Sequence, residues 1–201
     1  MTTTINASTS AGLIQTADTS GDLALQSNGT TQFTVASTGA YGQLKASTAV
    51  TVSGTSVEFT SIPSWAKRIT VMFSGVSTNG TGQQQIQLGD SGGFEITGYV
   101  GTGTSNSTGA NPATNNCTTG FALNSASLAA QTQQGIATIC LLGSNTWVFS
   151  FVGGRDNAVT VQGAGTKTLS DTLTQLRVIG SATGSPSDTF DAGSINIMYE
   201  G

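Results

Sequence analysis

Three stretches of this chain alternate apolar and polar residues with a period of two. Ile69, Val71 and Phe73 fall on one side of the first. Trp147, Phe149 and Phe151 share a side of the second, and Ile195, Ile197 and Tyr199 share a side of the third. That period belongs to an extended strand with one dry face and one wet face. Applied along the chain, it predicts strands over residues 50–62, 69–76, 83–89, 94–100, 136–142, 146–152, 158–162, 175–179 and 194–200. Turn-forming residues separate several of them, namely Asn79-Gly80, Gly143-Ser144-Asn145 and Arg155-Asp156-Asn157. No stretch carries a convincing helical period. Short strands in series without helices predict an all-β fold, an antiparallel β-sandwich of jelly-roll type over residues 45–201.

Residues 1–44 read differently. They contain a weak ten-residue repeat that puts Leu13, Leu23 and Phe33 in register, and likewise Leu25 and Val35. Ser20-Gly21, Asn28-Gly29 and Thr38-Gly39 lie between as turn signals. The segment reads as short strands at hairpin-like spacing. It holds too few apolar residues to bury a core alone. Segments below about 40 residues usually need disulfides, metals or oligomerisation. Unless it is a disordered linker, it orders by association. Leu13, Leu23, Leu25, Phe33 and Val35 are then the candidate packing residues of a short β-stalk or attachment segment that trimerises.

Charge is scarce. Only 8% of residues are Asp, Glu, Lys or Arg, where a typical soluble domain carries about 25%. Ser, Thr, Gly, Asn and Gln fill the gap. Such side chains can be buried in hydrogen-bonded contacts at less desolvation cost than charges, which suits close subunit packing. The bland alternative is a low-charge adhesin surface with no partner. The net charge of −4 and the absence of a basic cluster beyond Lys67-Arg68 leave no footprint for nucleic acid. No apolar run approaches the length of a membrane span, so no membrane insertion is expected. The N-terminus lacks the pattern of a secretory signal, so synthesis in a cytosol is expected.

Residues 101–119 show no apolar periodicity and read as a long loop, functional or unconstrained. As a loop, its 104–114 stretch should be dispensable to folding. Tyr99 borders it, and aromatic faces stack on sugar rings. Tyr99, Asn106, Asn111, Asn115 and Asn116 are therefore the candidate ligand-facing residues. Trp147 reads as core.

No catalytic constellation is visible. Gly89-Asp90-Ser91-Gly92-Gly93 matches the surroundings of a chymotrypsin-like nucleophile, but that chemistry needs a histidine, and the chain has none. The motif reads instead as a tight turn between two strands. A glycosidase needs two facing carboxylates, and no pair of acids is marked as facing. Asp188, Asp191 and Gly193 lack the oxygen-rich loop of a calcium site and read as strand-entry capping. Cys117, in a polar loop, and Cys140, in an apolar strand, have neither CxxC spacing nor histidine company. No catalytic residue, metal or cofactor is expected, and both thiols are expected to be free.

Two parts of the chain resemble one family. GLIQTADTSGDLALQSNGTTQFTV, residues 12–35, resembles a segment of virion structural and fibre proteins of tailed bacteriophages. SIPSWAKRITVMFSGVSTNG (61–80), IQLGDSGG (86–93) and DTFDAGSINIMYEG (188–201) resemble the distal domain of phage tail fibres. The resemblance implies a homotrimer in the virion, made in the host cytoplasm. Its N-terminal part would contact other virion proteins, capsid or tail, and its sandwich would point outward toward host-surface glycans. The chain is short for a long tail fibre, so a short fibre, spike or capsid decoration is equally compatible. A stand-alone lectin-like module and a glycan-degrading spike enzyme are the competing classes.

Overall fold

The computed structural model describes residues 23–27 and 30–35 as backbone, together with residues 44–129, 131–156, 158–181 and 187–201. The chain divides into two compact units, Met1–Gly42 and Gln43–Gly201. In the first, β1 (Leu23–Ser27) pairs antiparallel with β2 (Thr30–Val35), placing Leu23 opposite Val35 and Leu25 opposite Phe33. Leu13 and the three turn signals lie outside the described residues.

The second unit contains β3 (Leu44–Ala46), β4 (Val50–Thr51), β5 (Ser56–Phe59), β6 (Arg68–Thr78), β7 (Gln85–Asp90), β8 (Gly93–Phe94), β9 (Tyr99–Ser107) and β10 (Ala113–Asn116). It continues with β11 (Phe121–Ala122), β12 (Gln133–Gly143), β13 (Thr146–Arg155), β14 (Val159–Thr168), β15 (Gln175–Ile179) and β16 (Phe190–Glu200). Nine strands form a large sheet in the order β10-β9-β14-β13-β12-β6-β16-β3, with β4 also on β16. Five form a smaller sheet, β11-β7-β15-β5, with β8 on β7. Every strand pair among the described residues is antiparallel, and none of these residues is helical. The fold is an antiparallel β-sandwich.

The alternating patterns bury the side they predict. Ile69, Val71, Phe73, Trp147, Phe149, Phe151, Ile195, Ile197 and Tyr199 are all buried. Phe121 of the small sheet stacks on Phe149 of the large one, with ring centroids 4.7 Å apart and 5° between planes. Tyr99 meets Phe121 edge-on at 5.0 Å, and Phe73 meets Phe151 at 5.6 Å. The Phe121–Phe149 and Tyr99–Phe121 contacts bridge the two sheets, whereas the Phe73–Phe151 contact lies within the large sheet, between β6 and β13. The β12–β13 hairpin turns on Ser144 and Asn145, both at positive φ (48° and 61°). That is the left-handed pair that matches strand twist in a two-residue turn.

Three expectations need correction. Residues 50–62 are not one strand. The chain leaves β4 in the large sheet and enters β5 in the small one, with Gly54 at φ 68° between them. Residues 94–100 likewise divide between β8 and β9, with Gly98 at φ 74°. Most important, residues 101–119 are not a long loop. Most of them form the hairpin β9–β10, and β9 pairs with β14 from Tyr99 opposite Lys167 to Ser107 opposite Val159. The inward positions of β9 and β14 include Gly101, Gly103, Gly163 and Gly165, so no apolar period marks these strands.

Glycine is required there by proximity. A Cβ on Gly163 would lie 2.0 Å from the Ala122 carbonyl oxygen, and one on Gly103 would lie 2.3 Å from that of Asn124. The segment after Thr119 therefore runs directly over a glycine floor. Gly163→Ala should force the sheets apart and lower stability by about 1–3 kcal/mol, the usual cost of overpacking, measured as a reduced urea midpoint. Deleting residues 104–114 should also destabilise, because it strips β14 of half its neighbour. Removing residues 191–201 should abolish cooperative unfolding, since β16 lies between β6 and β3.

Candidate ligand groove

The β9–β10 hairpin and the segment after β11 enclose the feature best suited to a ligand. It is an open groove of about 360 Å³, within the range of about 300–1,000 Å³ common for small-ligand sites. Ser105, Ser107 and Asn111 line it from the hairpin, Ser127 and Gln131 from the facing segment, and Arg155 from the end of β13. Leu128 and Val159 add apolar surface. Hydroxyls, amides and one guanidinium around an apolar wall present donors and acceptors at the edges of a C–H surface. That is the complement of a sugar ring.

The groove is positioned by a buried polar layer. Asn124, wholly buried, donates from Nδ2 to Gln133 Oε1 at 2.9 Å and to Ser127 Oγ at 3.3 Å. Arg155 Nε donates to the same Gln133 oxygen at 3.4 Å, and its Nη2 donates to the Ala126 carbonyl. The Ser125 amide donates to Ser105 Oγ at 3.2 Å, tying the two walls together. Burial pushes the Arg155 guanidinium down from its ordinary value, and the Asp156 carboxylate opposes that shift. An arginine so far above neutrality stays charged. The Gln131 Oε1 acceptor is buried with no hydrogen-bond partner among the described residues.

The structure brings two of the residues expected to face a ligand together, Tyr99 and Asn116, at a shallow pocket of about 240 Å³ shared with Val100, Gly101, Cys117 and Thr118, and separates the others from it. Only Asn111 lines the groove. Asn106 is half-buried on β9, opposite Thr160. Asn116 is exposed on β10, opposite Thr102. Asn115, its neighbour, donates to the Ser125 carbonyl at 3.5 Å. Tyr99 is buried in the core at 2% exposure, so it offers no ring to a sugar. Its hydroxyl accepts from the Leu88 amide at 2.7 Å and donates to the Glu95 carbonyl at 3.1 Å. Burial pushes that phenol well above its ordinary range. Ser125, Ser127, Gln131 and Arg155 carried no motif. Arg155 was marked only as the first residue of the Arg155-Asp156-Asn157 turn signal.

The Gly89–Gly93 motif is the turn between β7 and β8. Asp90 caps it by accepting from the Gly92 amide at 2.8 Å. Its other oxygen accepts from Ser170 Oγ at 2.6 Å. Glu95 accepts from the Ser170 amide at 2.7 Å and pairs with the buried Lys167, whose ammonium lies 5.4 Å from the centre of the Tyr99 ring. Ser170 and the turn amide hold Asp90 below its ordinary value. Burial pushes Glu95 up, but Lys167 and Ser170 outweigh it and hold it down. Neither carboxyl is tuned as a general acid, which would need a raised value. Both thiols are free. Cys117 is buried with Sγ 3.3 Å from Gln83 Oε1, and Cys140 is part-exposed. Among the described residues no three His, Cys, Asp or Glu side chains gather as a metal site.

No protein-family model, no curated protein and no solved structure matches the chain.

The acid pair sets a pH dependence. Depressed carboxyls add stability that is present above their unfolded values, 3.8 for Asp90 and 4.5 for Glu95, and that is lost as pH falls through the lower folded values. Urea midpoints should hold level from about pH 8 to about pH 5 and then fall. Asp90→Asn should be less stable at neutral pH and show a shallower acid slope. An unchanged slope would contradict the assignment.

Proposed function

We propose that this chain is a structural component of a bacteriophage virion, a short trimeric fibre, spike or capsid decoration whose groove contacts host-surface glycans. The observation that carries the reading is the chain's division. An N-terminal unit bearing the β1–β2 hairpin precedes a complete sandwich with a polar groove of its own. The first unit is too short for an independent core and suits attachment to other virion proteins. The likeness of residues 12–35, 61–80, 86–93 and 188–201 to phage fibre proteins supports the same division of labour. So does the sparse charge, because a surface of hydroxyls and amides loses little on desolvation when subunits pack.

The groove favours glycans over other ligands. Its lining offers one cation and no carboxylate, with serine hydroxyls and two amides beside Leu128 and Val159. A lectin-like module that acts alone would use the same groove, and the two readings part over the particle. The proposal assigns no catalysis.

The experiment is density-gradient banding of particles from infected cells, probed for this chain. Banding with intact particles is the expected result, and recovery only as free protein would overturn the proposal. For the groove, Asn111→Ala and Arg155→Ala should each weaken binding of the purified chain to host-surface polysaccharide at least tenfold. Release of reducing sugar from that polysaccharide by the wild-type chain would contradict the non-catalytic assignment.

A further inference from the structure

Cations in this sandwich are either paired or solvated, with one exception. Arg68 pairs with Glu200, Lys167 with Glu95 and Arg177 with Glu58. Lys45 and Lys67 are exposed to water. Arg155 is half-buried and belongs to no ion pair among the described residues. Its neighbour in sequence, Asp156, is engaged elsewhere. The Asp156 Oδ2 accepts from the Thr132 amide at 3.3 Å and from Thr132 Oγ1 at 3.2 Å. It acts on Arg155 through space without forming an ion pair with it.

The partners that Arg155 does have are neutral. Nε donates to Gln133 Oε1 at 3.4 Å and Nη2 to the Ala126 carbonyl. These bonds fix the guanidinium plane but supply no countercharge. They use two of its five N–H donors, and Nη1 has no acceptor among the described residues. Arg155 is also the only charged side chain that lines the groove. A part-buried charge among neutral groups is costly, and an anion seated on it with charge-assisted hydrogen bonds removes that cost. The chain as a whole carries −4, so the attraction for an anion is local to the groove.

We infer that the groove takes an acidic sugar, with the sugar's carboxylate seated on Arg155. The inference rests on the glycan reading above and narrows it to one chemical class. The planar fork of a guanidinium matches the two oxygens of a carboxylate. The charges match as well. One guanidinium balances one carboxylate, whereas a phosphate monoester carries about two negative charges at neutral pH, and no second cation lines the groove. Ser107, Ser127 and Asn111 are then left for the hydroxyls of the ring, and Leu128 and Val159 for its C–H face. A neutral sugar would use the same hydroxyls and amide but leave the guanidinium uncompensated.

Calorimetry on the full chain with polysaccharide extracted from the host surface tests the assignment. Two probes are compared. One is the native polysaccharide. The other is the same material after carbodiimide activation and borohydride reduction, which turn its carboxyls into primary alcohols. Reduction should weaken binding at least tenfold. Two substitutions at Ser107, an exposed groove residue on β9, test the same point from the side of the protein. Ser107→Asp places a carboxylate in the groove to compete for Arg155, and Ser107→Asn is its neutral isostere. Ser107→Asp should lose at least tenfold more affinity for the native polysaccharide than Ser107→Asn loses. Binding that survives carboxyl reduction, or equal losses in the two variants, overturns the acidic-sugar assignment and leaves the glycan reading standing. Failure of the wild-type chain to bind the native polysaccharide overturns the glycan reading, and this inference falls with it.

Discussion

How closely the two sheets can approach governs this sandwich. At Phe121 and Phe149 the gap is filled by stacked rings. At Gly163 and Gly103 the backbone of 122–124 leaves no room for a Cβ. The sheet contact thus combines an aromatic-filled region with a backbone-on-backbone contact. The aromatic region supplies apolar burial. The glycine contact supplies position, because it fixes where the segment after β11 must run. Substitution at either place acts on the same spacing.

The groove follows from that contact. The segment held against the glycine floor continues into Ser125, Ser127 and Gln131, which form one wall. The β9–β10 hairpin forms the other. Asn124, Gln133 and Arg155 knit the walls from beneath. In that layer Asn124 Nδ2, Gln133 Oε1 and Arg155 are paired, while Asn124 Oδ1 and Gln133 Nε2 are buried without a hydrogen-bond partner among the described residues. The outward face of the same sheet has the opposite character. On β12 and β13 it carries Ile136, Leu142, Val148 and Val152, all exposed.

The sequence disclosed the parts of this fold where inward positions carry large side chains. Trp147, Phe149 and Phe151 announce β13, and Ile195, Ile197 and Tyr199 announce β16. It concealed the parts where inward positions are glycine. In β9 and β14, Gly101, Gly103, Gly163 and Gly165 occupy the positions that an apolar period would mark, so β9 read as loop and β14 as shorter than it is. Glycine here reports a close neighbour rather than a turn, and that neighbour is remote in sequence. The exposed apolar residues of β12 and β13 were hidden for a related reason. Ile136, Val148 and Val152 sit at the polar phase of the alternation, where single apolar residues are unremarkable, and only strand order brings them together. The groove had no local signature, because its walls come from segments that meet only after the sheets dock. Asn111 was the one anticipated residue that reached it.

Electron cryomicroscopy of the intact particle with this chain tagged at Gly201 tests the account most directly. It predicts a threefold projection in which the groove of each sandwich faces outward. A particle that lacks the tagged chain, or that carries a single sandwich per site, would contradict it.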